Sequence, residues 1–242
     1  MGSTDAPDQQ LVAALIAQLQ GTRAAERELF GALDREVRDR PMRPGDWSPK
    51  DHQAHLTAWK GRQAERIRAI RRGEPFPTDA REDDEINAEL QVIRADWTWE
   101  AIVAEADEVS RQLADEVRAA GDDVLLRSGS LVGGIFGNGP LHAATHFGWL
   151  VEAGIGMDPG RVEAFLEAEE QMLAATGLPD ADRGTGVYNL ACAHAMAGRL
   201  DRARPMLRDA FRLRPDLVAF AKEDPDLLAL RDELATSAGE TS

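Results

Sequence analysis

The stretch Asp46-Trp47-Ser48-Pro49-Lys50-Asp51-His52-Gln53-Ala54-His55-Leu56-Thr57-Ala58-Trp59 reads as a well-marked helix start. Ser48 suits the cap position, Pro49 the first helical turn, and Asp51 lies three residues after the cap. That arrangement satisfies backbone donors that no helix can satisfy internally and places a carboxylate at the positive end of the helix dipole. Leu56, Trp59, Ile67 and Ile70 then continue one apolar stripe until Arg71-Arg72-Gly73.

Working outward, the same 3.6-residue period recurs along the chain, while alternating β-branched runs are nearly absent. Upstream, a helix is expected from about Asp8 to Arg38, carrying Leu11, Leu15, Leu19, Thr22, Leu29, Leu33 and Val37. It is ended by residues 39–47, which contain Pro41, Pro44 and Gly45. Downstream, Ile86, Leu90 and Ile93 mark a short helix, and the phase slips at Trp97-Thr98-Trp99. A longer helix capped by Thr98 follows with Ile102, Ala106, Val109, Leu113 and Val117. Residues Gly121 to Gly139, with glycines at 129, 133, 134, 137 and 139, read as a loop. A fourth helix is expected over Pro140 to Ala153, apolar on most faces. The fold class is therefore all-α: an up-down four-helix bundle over residues 1–157 followed by a small helical domain over 158–242. The boundary is placed at the glycine-rich run Gly154 to Gly160.

In the second domain, Val162 to Thr176 reads as a helix. The run Tyr188-Asn189-Leu190-Ala191-Cys192-Ala193-His194-Ala195-Met196-Ala197-Gly198, followed by Ala203, Leu207, Ala210 and Pro215, resembles a tetratricopeptide repeat. Small residues at these intervals let two helices approach closely, with Gly198 ending the first. Residues 237–242 are small and polar and are expected to fray.

Composition bounds the function. The chain has 242 residues, 43% hydrophobic and 29% charged, which is globular rather than disordered. Its 43 acids against 28 bases give a formal charge of −15. Such a surface repels phosphate backbones and anionic lipid, so no nucleic acid and no membrane is expected as a partner. A single cysteine, Cys192, cannot form an internal disulfide, and Met1-Gly2-Ser3-Thr4-Asp5 lacks the basic start and apolar core of a signal peptide. A soluble cytoplasmic protein is the expectation. Its bases are almost all arginine, which points to a high-GC bacterium.

Five histidines occur: His52, His55, His142, His146 and His194. The i, i+4 spacing of His142 and His146 stacks both imidazoles on one helical face. His55 lies at the edge of the inward stripe of the second helix, so three imidazoles converge if the second and fourth helices are neighbours. Three neutral imidazoles leave an open coordination position on a divalent metal; zinc, nickel and iron all accept such donors. Asp51, one turn before His55, is placed either to accept the ring's other N–H or simply to cap the helix. His52 is expected to face solvent. Trp59 and Trp149 are read as pocket walls or as core. The Gly133-Gly134-Ile135-Phe136-Gly137-Asn138-Gly139 run lacks the Lys-Ser/Thr ending of a phosphate loop and reads as a connection. Cys192 and His194 are read as packing residues, and Glu167 to Glu170 as a solvated face.

The 46–59 segment, Thr98-Trp99-Glu100 and the histidine pair together resemble the DinB-like four-helix-bundle superfamily over roughly residues 8–155, most closely its ClbS/DfsB-like branch. The resemblance implies a divalent metal held by His55, His142 and His146. It also implies a hydrolase or a thiol S-transferase with a detoxification role on a small-molecule substrate, with a low-molecular-weight thiol as one cosubstrate class. Two other readings compete. One is a binding or adaptor protein whose residues 161–236 take a protein partner; the other is a structural homodimer.

Overall fold

The computed structural model describes residues 10–41, 46–76, 81–127, 131–175 and 178–236. Among these residues every element is a helix, as the periodicity requires. The expected ends at Asp8 and Thr176, the breakers Pro44 and Gly45, Gly129 and the 237–242 tail lie outside the described residues.

Two compact units divide the chain after Ala143. The first holds α1 (Gln10–Gly31), α2 (Arg35–Arg38), α3 (Pro49–Arg72), α4 (Asp83–Arg94), α5 (Trp99–Arg127) and α6 (Leu131–Asn138), and the opening turn of α7 (Pro140–Glu152). α3 packs on α4, α5 and α6, and α1 packs on α5. Leu15, Leu29, Phe30, Leu56, Ile67, Ile102, Leu113 and Leu125 fill the space between them.

The start of α3 forms as its sequence dictates. The Ser48 hydroxyl accepts the Asp51 N–H at 3.2 Å, and the Asp51 carboxylate accepts the Ser48 N–H at 2.9 Å. This reciprocal cap is worth about 1 kcal/mol. α3 ends on Gly73, whose φ of +67° is the left-handed conformation that glycine adopts without a Cβ penalty. Thr98 caps α5 by accepting the Ala101 N–H at 3.3 Å.

Two expectations for this unit are corrected. The first helix does not run through to Arg38: α1 stops at Gly31, and a separate single turn covers Arg35–Arg38. The glycine-rich segment is not a loop either, because its residues 131–138 form α6. Leu131, Val132, Ile135 and Phe136 are buried, and their apolar contacts offset the helix cost of Gly133, Gly134 and Gly137. One of those glycines is needed on steric grounds, since a Cβ on Gly134 would lie 2.8 Å from the Gln63 side chain. Asp122 adds a long-range tie: its carboxylate accepts the N–H groups of Val12 at 3.0 Å and Leu11 at 3.4 Å, capping α1 from 110 residues away.

The second unit holds the rest of α7, then α8 (Pro159–Ala175), α9 (Asp180–Met196), α10 (Leu200–Leu213), α11 (Leu217–Ala221), a 3-10 segment (Pro225–Leu230) and α12 (Arg231–Thr236). α9 packs on α8, α10 and the 3-10 segment. Its core joins Tyr188, Ala191, Cys192 and Ala195 to Ala203, Leu207, Ala210, Leu227 and Leu230. A Cβ on Gly184 would come within 2.9 Å of Leu213 Cβ, which is why α9 and α10 meet so closely there. Gly198, at φ +76°, ends the α9 turn.

Candidate metal centre

α3 and α7 bring the predicted rings together. His55 Nε2 and His142 Nε2 are 2.9 Å apart, with ring centroids separated by 4.7 Å. At that distance only one of the two nitrogens carries a proton, donating it to the lone pair of the other. His146 follows His142 by one turn of the same helix. One ligand atom from each of the three rings lies within 4.8 Å of the others, so the triad could hold a metal ion.

The donor set fits a divalent cation. Ligating imidazoles must be neutral, and burial keeps His55 and His142 so. His55 is pushed down to about 3, first by burial and then by His52. His142 is held well below the ordinary histidine value by burial, with His55, Lys60 and His52 adding to the effect. Nitrogens bonded to one tetrahedral zinc stand roughly 3.3 Å apart. Seating an ion between His55 and His142 therefore needs the rings to open by only a few tenths of an ångström.

Tryptophans surround the rings. Trp47 lies 4.6 Å from His55, centroid to centroid, and Trp59 lies 6.2 Å from His55 and 6.4 Å from His142. The Trp59 indole N–H donates to Asn87 Oδ1 of α4 at 2.9 Å, which fixes the ring. Trp149 meets His146 edge-on at 4.7 Å. Between α3 and α4, a cleft of about 10 Å³ touches His55, Trp47, Asn87 and Leu90. That is room for about one water molecule, so a larger molecule reaches His55 by this route only if α4 shifts.

Asp51 serves the α3 cap: the same carboxylate oxygen accepts both the Ser48 N–H and, at 2.6 Å, the Ser48 hydroxyl. His52, expected at the surface, is instead buried, and its ring lies 5.5 Å from Trp47. Burial drives its pKa to about 4 against the upward pull of Asp51 and Asp46. The cause is local: His52 lies one turn before Leu56 on the inward face, and Trp47, just ahead of the helix, folds against both His52 and His55.

A model of the DinB superfamily matches residues 18–152, from within α1 to the last residue of α7, with all three histidines inside the match. The chain belongs to the DinB superfamily. No curated protein and no solved structure matches it.

Inside the first unit of this DinB-superfamily chain lies a polar core that the sequence reading missed. Glu26 and Lys60 are 0% and 2% exposed, and Lys60 Nζ is paired with Glu26 Oε1. Gln53 donates to Glu26 at 3.3 Å, and Arg23 reaches Glu26 at 3.4 Å, Gln53 at 3.2 Å and Asp107 at 2.9 Å. A signal was present. Lys60 and Gln63 share the inward phase of Leu56 and Ile67, and Glu26 shares that of Leu19, Thr22, Leu29 and Leu33. A groove of about 650 Å³ on the α1–α5 face contains none of the histidines, and its arginines are committed to acids, Arg23 to Asp107 and Arg111 and Arg118 to Asp115.

Outside the DinB match, Cys192 and His194 are packing residues as expected. The Cys192 thiol is pushed far up by burial and by Asp224, so it is no nucleophile at neutral pH. His194 Nε2 is bonded to Glu170 Oε1 at 2.7 Å. The 167–170 acids are not simply a solvated face, because Glu169 is buried and Glu170 holds that histidine. Among the described residues, no helix is long and apolar enough to cross a membrane.

Proposed function

We propose that this DinB-superfamily chain is a divalent-metal-dependent enzyme that acts on a small molecule, by hydrolysis or by thiol transfer in a detoxification role. α1, α3, α5 and α7 are read as the up-down four-helix bundle, with His55, His142 and His146 as the metal ligands. The observation that carries this is the convergence of three imidazoles within 4.8 Å on a chain of this superfamily. A divalent ion at three neutral imidazoles supplies an open position where a water or thiol is acidified or a carbonyl polarised.

The chain's own residues supply the rest. Burial holds His55 and His142 unprotonated through the physiological range. Trp47 and Trp59 give the centre apolar sides that exclude bulk water, and Asn87 keeps Trp59 in place. Asp51 fixes the start of the helix that carries His55. Assignment to the ClbS/DfsB-like branch rests on the Trp47-Ser48 cap and the residues up to Trp59. A low-molecular-weight thiol is the cosubstrate class that thiol transfer, known among other members of the superfamily, would bring.

Elemental analysis of purified protein tests the reading. About one divalent ion per chain in the wild type and none in His142→Ala is expected; equal content in both overturns it. A second reading, an adaptor that docks a protein partner through residues 161–236, is favoured by the exposed Phe220 and Leu228 beside the tetratricopeptide-like pair α9–α10. It predicts partner capture that is lost with that segment.

A further inference from the structure

Trp149 sits one turn beyond His146 and two beyond His142 on α7, and it is 36% exposed. Here its indole N–H donates to Asp226 Oδ1 at 3.1 Å. Asp226 belongs to the 3-10 segment at the far end of the second unit, and its own position is fixed in turn. Its backbone N–H donates to Asp224 Oδ1 at 2.9 Å. The other Asp224 oxygen accepts the buried Tyr188 hydroxyl at 2.6 Å, and Leu227 and Leu230 anchor the segment in the core. An unbroken series of contacts therefore runs from Tyr188 through Asp224, Asp226 and Trp149 to the edge of the His146 ring, 4.7 Å away.

We infer that Asp226 is a positioning residue for the metal centre: it holds the Trp149 indole against His146 and so fixes the orientation of that imidazole. This rests on the metal reading above. His146 is itself buried, so the freedom that Asp226 removes is that of the ring beside it. The role assigned to Asp226 is that of a hydrogen-bond acceptor, which indole N–H needs and which an amide oxygen also provides, if more weakly than a carboxylate. That role separates positioning from electrostatics in the test.

Zinc affinity is measured by competition with a chromophoric chelator for the wild-type full chain, Asp226→Ala, Asp226→Asn, Trp149→Phe and the Asp226→Ala/Trp149→Phe pair. Circular dichroism and thermal melts accompany each, and the ligand-field spectrum of the cobalt-loaded forms reports ligand geometry. Removing a group that orients a metal-bound histidine weakens affinity by about tenfold or more. Asp226→Ala and Trp149→Phe are each expected to show that loss with an altered cobalt spectrum. The double variant should lose no more than either single one, since both break the same contact. Asp226→Asn should stay near wild type. Wild-type zinc binding with unchanged affinity in folded Asp226→Ala or Trp149→Phe overturns the inference alone. So does an Asp226→Asn variant as weak as Asp226→Ala. If Asp226→Ala does not fold, Trp149→Phe, which keeps an aromatic ring of smaller size and lacks the N–H donor, decides. A wild type that binds no zinc overturns the metal reading and this inference with it.

Discussion

Lowering the pH of the metal-free protein from 7 to 5 is expected to cost it several kcal/mol of stability, and the direction follows from three buried rings. His52 and His55 sit at about 4 and about 3 in the folded chain, and His142 lies well below its ordinary 6.5. Folding depresses all three, so their stabilising effect is intact above pH 6.5. It is lost as pH falls from there through the folded values. At pH 5 an unfolded histidine has gained about 2 kcal/mol by taking a proton, 1.5 pH units at about 1.4 kcal/mol each, while the folded ring has gained almost nothing. His52 and His55 therefore remove about 4 kcal/mol, and His142 acts in the same direction, against a typical total of about 5–15 kcal/mol. Urea unfolding at pH 7, 6 and 5 in the presence of a chelator, followed by circular dichroism, measures it. Near pH 5 the slope should show net proton uptake on unfolding, and less of it in His142→Phe. A midpoint that does not move between pH 7 and pH 5 would refute the claim that these imidazoles are buried and neutral.

Lys60→Met should destabilise the fold by about 3–5 kcal/mol, because it strands the Glu26 carboxylate in the interior. Lys60→Met/Glu26→Gln should recover much of that in denaturant melts, and a single variant within 1 kcal/mol of wild type would contradict the buried pair. Cys192 should resist a thiol-reactive dye in native buffer and react at once in denaturant; rapid native labelling would show that its packing against Tyr188 and Asp224 is wrong.

The features legible in the sequence were the local ones. Ser48, Pro49 and Asp51 spell out a cap with no help from the rest of the chain, and Thr98 does the same for α5. The His142–His146 spacing fixes a shared face as soon as the segment is helical. What escaped was set by partners far away in sequence. α6 is helical because Leu131, Ile135 and Phe136 have apolar neighbours to bury against, which no count of glycines between 129 and 139 reveals. His52 is the exception: it lies one turn before Leu56 on the inward stripe and Trp47 covers it, so its burial was legible from helical phase. Lys60 and Glu26 look like surface residues by type and like core residues by phase, and here phase was the better guide. The role of Trp149 depends on Asp226, 77 residues later, and no local pattern ties the two together.

The carboxylate that closes the start of α1 is made 110 residues after the backbone groups it serves. At a synthesis rate of about 5–20 residues per second, the head of the chain waits on the order of ten seconds outside the ribosome before its partner emerges. During that interval the leucines of the first helix have neither their terminal anchor nor the α5 surface they pack on. A nascent chain stalled ahead of Asp122 is therefore a natural client for a holding chaperone, and release of that client should coincide with the arrival of this one side chain.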